Sequence, residues 1–268
     1  ADVTTTASIP WRFTDTSYAM DVREVAMNAT PRKIFDLVKL RRADAYGSLA
    51  ELMEANFWGK PSSSSDTATP YGIRYWIVPN ASEGFNGGHP SGFSDVAGLS
   101  STTYPRHKNY TAQFTNVTRT DLIRKWREAA TKTKFKVPMN VNLASYNSGD
   151  KYGYYTNYNI LGKLEERLED QNDNLGNDVA SKDGNALFRK VPVTYVSYLD
   201  ATNQTDITDP VYGINWGVLK TCFMRGQYFR ESKPREAPKQ HNVLEAFVDL
   251  MYNIKCTDRR RLFVLYVS

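Results

Sequence analysis

The chain has 268 residues, with 34 Lys and Arg against 29 Asp and Glu, a formal net charge of +5. Its 41% hydrophobic content supports a sizeable core and excludes a disordered chain. No apolar run approaches the ~20 residues that a membrane-crossing helix needs, and the charge excess is weaker than that of a dedicated DNA reader. The opening, Ala1-Asp2-Val3-Thr4-Thr5-Thr6, has neither a charged start nor an apolar centre, so no signal peptide is expected there. Its lack of Met points to cleavage in maturation or to preceding residues missing from the sequence.

Residues 3–27 read as extended. Tyr18, Met20 and Val22 alternate with Ala19, Asp21 and Arg23, a period of two. Thr14-Asp15-Thr16-Ser17 has turn chemistry, so a hairpin is expected, with too little apolar mass to stand alone. Thr30-Pro31 then opens a helix, with Thr as cap and Pro at the first helical position. Ile34, Phe35, Val38, Ala45, Leu49, Leu52, Met53 and Phe57 recur at helical spacing until Gly59-Lys60-Pro61 stops it. The span 30–58 is roughly 43 Å of helix. Its first half carries Arg32, Lys33, Lys39, Arg41 and Arg42 against Asp36 and Asp44. That reads as a solvated face with internal ion pairs, or as a surface docking on an acidic neighbour.

Residues 61–117 read as a long arm. A flexible linker, Ser62 to Ser65, leads into a glycine-punctuated stretch broken by a short strand, Ile73–Val78. The glycines match neither phosphate-binding loop pattern. Thr118-Arg119-Thr120-Asp121 caps a second helix with Leu122, Ile123, Trp126, Ala129 and Ala130 on one face. A third helix turns Ile160, Leu161, Leu164 and Leu168 inward and Glu165, Glu166, Glu169 and Asp170 outward. Asp170-x-Asn172-x-Asn174 begins like a calcium loop but has Leu175 where Gly is required and Ser181 where Glu should close it. The last 80 or so residues are strand-rich: Val191–Leu199, Ile214–Phe223 as a strand or ribbon arm, 243–257 and 261–267. Leu262 to Val267 is apolar without a break, as in a strand buried on both faces. Arg259-Arg260-Arg261 before it reads as a solvated turn, with a subunit contact as the alternative.

No catalytic constellation or metal-ligand spacing emerges; His89, His107 and His241 are scattered. Cys222 and Cys256 read as buried free thiols, a bridge between them being the alternative. Five N-x-[ST] sequons, Asn109 and Asn116 among them, carry little weight without a secretion signal. The 13% aromatic content, with 17 Tyr, points to much sheet or to extensive interfaces.

Several segments carry a resemblance. They are Arg41-Arg42-Ala43-Asp44-Ala45 leading into Leu49-Ala50-Glu51-Leu52-Met53-Glu54, then Phe57-Trp58-Gly59-Lys60-Pro61, and Tyr75-Trp76-Ile77-Val78 with Glu83-Gly84-Phe85-Asn86-Gly87-Gly88. Gln171 to Asp178, Asp209-Pro210-Val211-Tyr212-Gly213 and Asp258-Arg259-Arg260-Arg261-Leu262-Phe263 follow. In these, and in the order of elements, the chain resembles the major capsid protein of tailed double-stranded DNA bacteriophages. The resemblance implies an α+β chain of the Hong Kong 97 fold. Residues 1–27 would be an extended-loop hairpin, and the family's N-terminal arm is absent. Residues 28–117 and 201–258 would be a peripheral domain built on a spine helix over 30–58. Residues 118–200 and 259–268 would be an axial domain. The implied function is self-assembly, as hexamers and pentamers, into an icosahedral shell in the virion. Packaged DNA would be touched non-specifically, with portal and cement proteins as further partners and no membrane, catalysis, metal or cofactor. Trp11, Arg12, Arg32, Lys33, Arg41, Arg42, Arg259 and Arg260 are the candidate subunit contacts. The covalent Lys–Asn cross-link of some members is assigned to no residue here. An encapsulin-like cellular shell is the nearest alternative, and a secreted carbohydrate-binding or hydrolase module is the alternative from another class. In the shell reading, neighbouring copies cover the hairpin and the glycine-rich arm.

Overall fold

A computed structural model describes residues 6–27, 31–133, 151–170, 186–189, 191–200, 207–238 and 240–267. In chain order its elements begin with β1 (Arg12–Asp21), α1 (Val22–Met27), α2 (Pro31–Trp58), α3 (Ile73–Trp76), β2 (Gly84–Gly87), β3 (Asn109–Phe114) and α4 (Leu122–Thr133). Next come β4 (Tyr152–Thr156), α5 (Tyr158–Asp170), β5 (Leu187–Phe188), β6 (Val191–Tyr195) and β7 (Thr208–Asn215). The chain closes with β8 (Leu219–Phe223), β9 (Arg230–Glu231), β10 (Arg235–Ala237), β11 (Gln240–Cys256) and β12 (Phe263–Val267). Two compact units share these elements. Unit 1 holds Ala1–Ser8, Ile73–Lys220 and Lys255–Ser268; unit 2 holds Ile9–Gly72 and Thr221–Ile254.

Unit 1 is organised by a seven-stranded sheet in the order β2-β3-β12-β7-β4-β6-β5. β12 runs parallel to β3 and antiparallel to β7, so it is paired on both edges. Leu262 to Leu265 are fully buried, as the unbroken apolar run implied. Helix α4 packs on β3 and β12, and α5 on β6 and β7. Trp126 and Ile160 from the two helices join Tyr154, Val211, Phe263 and Leu265 from the sheet in one core. Trp126 stacks on Phe188 at 4.4 Å and meets Tyr154 edge-on at 5.2 Å. The expected cap of α4 is present: Asp121 accepts from the Thr115 and Asn116 amides, while the Thr118 hydroxyl accepts from the Asp121 amide.

Unit 2 is a helix laid on a sheet. α2 runs for 28 residues, ~42 Å, and Gly59 ends it by donating to the Ala55 carbonyl. Ala45 and Leu49 meet Tyr18, Met20, Ala246, Val248, Leu250 and Tyr252 in the second core. β1 pairs antiparallel with β11 along its whole length, from Arg12 opposite Tyr252 to Asp21 opposite Val243.

Several expectations are overturned. Where a hairpin was expected over 1–27, the described residues 6–27 form one strand and a helix. The turn-like Thr14 to Ser17 lies mid-strand, opposite Leu250 to Phe247, because β11 supplies a partner far along the chain. Ile73–Trp76 is helical, not extended, with Ile73 to Val78 buried on every side. The ribbon Ile214–Phe223 is broken by a turn between Asn215 and Leu219, and Val191–Leu199 stops as a strand at Tyr195. Residues 73–117 are part of unit 1 rather than an arm, since Tyr75, Trp76, Val96 and Tyr110 sit in its interior. The compact units change over at 8/9, 72/73, 220/221 and 254/255, where the sequence reading divided the chain at 27/28, 117/118, 200/201 and 258/259. β2, β3 and β7 belong to one sheet, which fixes them there. The calcium-loop-like residues 171–181 lie outside the described residues, as does Thr30.

Candidate assembly surface

The pleat of β1 separates two environments. Arg12, Thr14, Tyr18 and Met20 turn inward, whereas Phe13 stays 50% exposed, with Trp11 beside it at 46%. Phe13 stands opposite Met251 on the same outward face, and Ser17 opposite Phe247. Asp15 and Asp249 stand opposite each other there, and Arg230 of β9 is the register partner of Asp249 on the other edge of β11. On α2, Leu40 is 68% exposed, and Leu52, expected on the buried stripe, is exposed as well. Tyr228 and Phe223 add an exposed edge-to-face pair at 4.8 Å. Unit 2 thus exposes large apolar groups on both the helix side and the open sheet side, more than scattered single exposure accounts for.

The basic candidates divide sharply. Arg12 is buried. Its guanidinium donates to the Thr67 carbonyl and to that of Asp66 at 3.0 Å, and lies over the Tyr71 ring. The Asp66 carboxylate in turn accepts from the Thr69, Ser62 and Ala68 amides, which lower its pKa to about 2. The serine run expected as a flexible linker is therefore part of a hydrogen-bonded turn. Arg41 donates to the Ala19 carbonyl at 2.7 Å and pairs with Glu24. Arg42 pairs with Glu231 at 2.7 Å over the Tyr46 ring. The same carboxylate accepts from Tyr18, whose pKa rises to about 12 through burial and then this hydrogen bond. The side chains of Arg32 and Lys33 lie outside the described residues.

In unit 1, Arg259 is 1% exposed, so the solvated turn is overturned and Arg259 is no surface contact. Its Nε donates to the Trp76 carbonyl and its Nη1 to that of His107, both at 2.8 Å. Its Nη2 reaches the Gly87 and Gly88 carbonyls and Asn109 Oδ1. Burial lowers its pKa to about 10, which leaves it charged at neutral pH. Gly87 is required here, because a Cβ would collide with the Asn109 side chain. Asn109 is fully buried and pairs its amide with both backbone groups of Val78 at 3.0 Å, so this sequon is closed in the folded chain. Sequence reasoning placed all three arginines in solvent, since nothing local announces carbonyl acceptors brought from 76–107. Arg260 is half-buried with its guanidinium 4.2 Å from the Phe85 ring centroid. The exposed Tyr158, Tyr195 and Leu187 of unit 1 were also missed.

Both cysteines are free thiols. Cys256 is buried, which pushes its pKa up to about 12, and Cys222 is half-buried. Among the described residues, no group of three or more His, Cys, Asp or Glu side chains could hold a metal ion. No helix there is long and apolar enough to cross a membrane.

No protein-family model and no curated protein matches the sequence. Solved structures do match. A chain of the cyanophage A-1(L) capsid asymmetric unit superposes with a TM-score of 0.61 at 15% identity, covering 97% of this chain and 78% of that one. The fold is the Hong Kong 97 capsid fold. A chain of the capsid of the Myoviridae phage XM1 shows it at a TM-score of 0.54 and 10% identity, with 97% and 74% coverage. So does a chain of the holo-SrpI encapsulin complex from Synechococcus elongatus, at 0.52 and 9%, with 96% and 73% coverage. The Hong Kong 97 fold thus spans this chain nearly end to end, and both units take part in it.

Proposed function

We propose that this protein is the major subunit of a tailed-bacteriophage head, assembling as hexamers and pentamers into an icosahedral shell around double-stranded DNA. The observation that carries the reading is the superposition on the cyanophage capsid chain across 97% of the sequence. A fold alone does not assign a function, so the exposed large apolar side chains of unit 2 matter as independent support. Obligate interfaces bury about 2,000–5,000 Å² and are rich in apolar and aromatic groups, and Trp11, Phe13, Leu40 and Tyr228 suit that role. Unit 2, with α2 as its spine, takes the peripheral role, unit 1 the axial role, and the first 27 residues belong to the extended loop. The role is structural rather than catalytic, the location is the virion, and portal and cement proteins are the expected further partners. The net charge of +5 tolerates packed DNA without gripping it.

An encapsulin-like compartment is the second reading, favoured by the match to the encapsulin chain. Purified particles separate the two. A phage shell contains nuclease-protected DNA, whereas a compartment contains protein cargo. Absence of particles in every condition of salt, pH and concentration contradicts both.

A further inference from the structure

A cleft of about 1080 Å³ opens within unit 1, lined by the end of α4, the segment around Tyr104 to His107 and the Arg259–Arg261 turn. That is the scale of a pocket for a small organic ligand, about 300–1,000 Å³. Its lining is cationic. Among the described residues Asp258 is the one carboxylate on it, and it already faces Arg261 at 3.4 Å and the Arg260 amide at 3.0 Å. Lys132 is answered by Glu128. Arg106 and Arg260 are not answered: among the described residues neither guanidinium meets a carboxylate or donates a hydrogen bond. Arg260 lies instead over the Phe85 ring, 4.2 Å from its centroid, which holds the guanidinium in place and leaves its N–H groups for an incoming acceptor. Arg259 adds its charge from behind, since its own acceptors are neutral oxygens. His107 stays neutral, because burial and then the charge of Arg259 bring its pKa down to about 4.

A second feature sets the kind of anion. Tyr104 lines the same cleft and is 40% exposed. Its amide donates to the Ser100 carbonyl and its carbonyl accepts from the His107 amide, both at 2.9 Å, so one tight turn carries Tyr104 and Arg106 together to the cleft wall. Its ring stacks on no other ring among the described residues. An open aromatic face beside two unanswered guanidiniums is the combination that takes a base and its phosphate. We propose that this cleft binds a nucleotide, its phosphate on Arg106 and Arg260 and its base on Tyr104, either free or as one unit of a single strand. A duplex does not suit the site, because stacked neighbours cover its base faces. The inference goes beyond the shell reading, which asks only for diffuse contact with packed duplex, and it stands on unit 1 alone.

The test follows the fluorescence anisotropy of a labelled oligothymidylate with the full chain at physiological ionic strength. The bound strand is then displaced with thymidine monophosphate, inorganic phosphate or a duplex of the same length. The strand should bind and thymidine monophosphate should displace it, while inorganic phosphate and the duplex should each need about tenfold or more higher concentration. Arg106→Glu and Tyr104→Ala should each weaken binding about tenfold or more. Arg119→Glu makes the same charge change at an exposed position outside the cleft, and should leave binding within about twofold of the parent. Thermal melting checks that each variant is folded, and Tyr104→Leu, which removes the stacking face but keeps apolar contact, serves if the alanine variant is not. Displacement by thymidine monophosphate at the strand's own nucleotide concentration assigns the free nucleotide, and a strand that binds far more tightly than the monophosphate assigns the strand. No binding, a duplex that competes as well as the strand, or an equal loss in Arg119→Glu overturns the site. Inorganic phosphate that competes as well as thymidine monophosphate, with Tyr104→Ala binding as the parent does, also overturns it, by leaving a simple anion site. None of these outcomes bears on the shell reading, which particle formation decides separately.

Discussion

The two units bury their residues in different ways. Unit 1 closes around a sheet whose central strand is covered on both faces and paired on both edges, and it fixes its irregular segment with one buried guanidinium. Unit 2 is a single layer of helix on one face of a sheet, and its other face keeps Phe13 and Trp11 in solvent. The contrast lies in what each unit leaves to solvent: the first covers β12 on both faces, while the second leaves Phe13 and Trp11 on a sheet face that α2 does not cover.

The largest expected effects test what each unit depends on. Arg259→Met leaves the carbonyls of Trp76, Gly87, Gly88 and His107 without their donor, at a cost of about 1–3 kcal/mol for each buried acceptor left unsatisfied. Arg260→Met should cost at most about 1 kcal/mol, the worth of an exposed cation–π contact. Urea melts of the two variants check the difference; equal losses would mean that Arg259 is no anchor. In unit 2, Leu49→Asp places an unpaired charge in the core and should abolish soluble folding, whereas Leu52→Asp should stay within about 0.5 kcal/mol of the parent. Soluble expression and melting temperature read this pair.

Smaller effects sharpen the packing side of the comparison. A Cβ on Gly213 would fall within the buried Phe263 ring, so Gly213→Ala should destabilise by about 1–3 kcal/mol. Gly162, within α5, has nothing within 4 Å of such a Cβ, so Gly162→Ala should stabilise by about 0.5–1 kcal/mol. Denaturant midpoints of opposite sign are the expected outcome.

Acid should reach the units at different points. The His107 pKa is about 4 in the fold against an ordinary 6.5, so the unfolded chain binds the extra proton between those values. Stability from this group is complete above pH 6.5 and is lost as pH falls toward 4. Asp66, at about 2 against 3.8, contributes fully above 3.8 and loses its contribution as pH falls toward 2. Hydrogen exchange at pH 7 and pH 5 should therefore show added opening around His107 and none around the turn at Asp66, and His107→Gln should remove the difference. The smallest effect on the monomer belongs to Phe13→Asp. Its melting temperature should hardly move, while particle yield falls.

What was legible in the sequence follows the same division between local and distant causes. α2, α4 and α5 announced themselves by periodicity, α2 and α4 by cap residues as well, and β12 by six apolar residues in a row, because those signals are local. The turn reading at Thr14 to Ser17 failed because the partner strand lies at the other end of the chain. Ile73 to Val78 was mistaken for a strand because a segment buried on all sides shows no period. Of the candidate contacts, Trp11 is exposed as a surface role requires. Arg12 and Arg259 are not, since an arginine reads as surface by composition and its burial depends on carbonyls supplied from elsewhere in the chain.

Electron microscopy of the purified full-length protein, taken across salt and pH, tests the container reading most directly. Closed shells built from pentamers and hexamers are the expected result. A monodisperse monomer in every condition, with Trp11 and Phe13 still facing water, would contradict it.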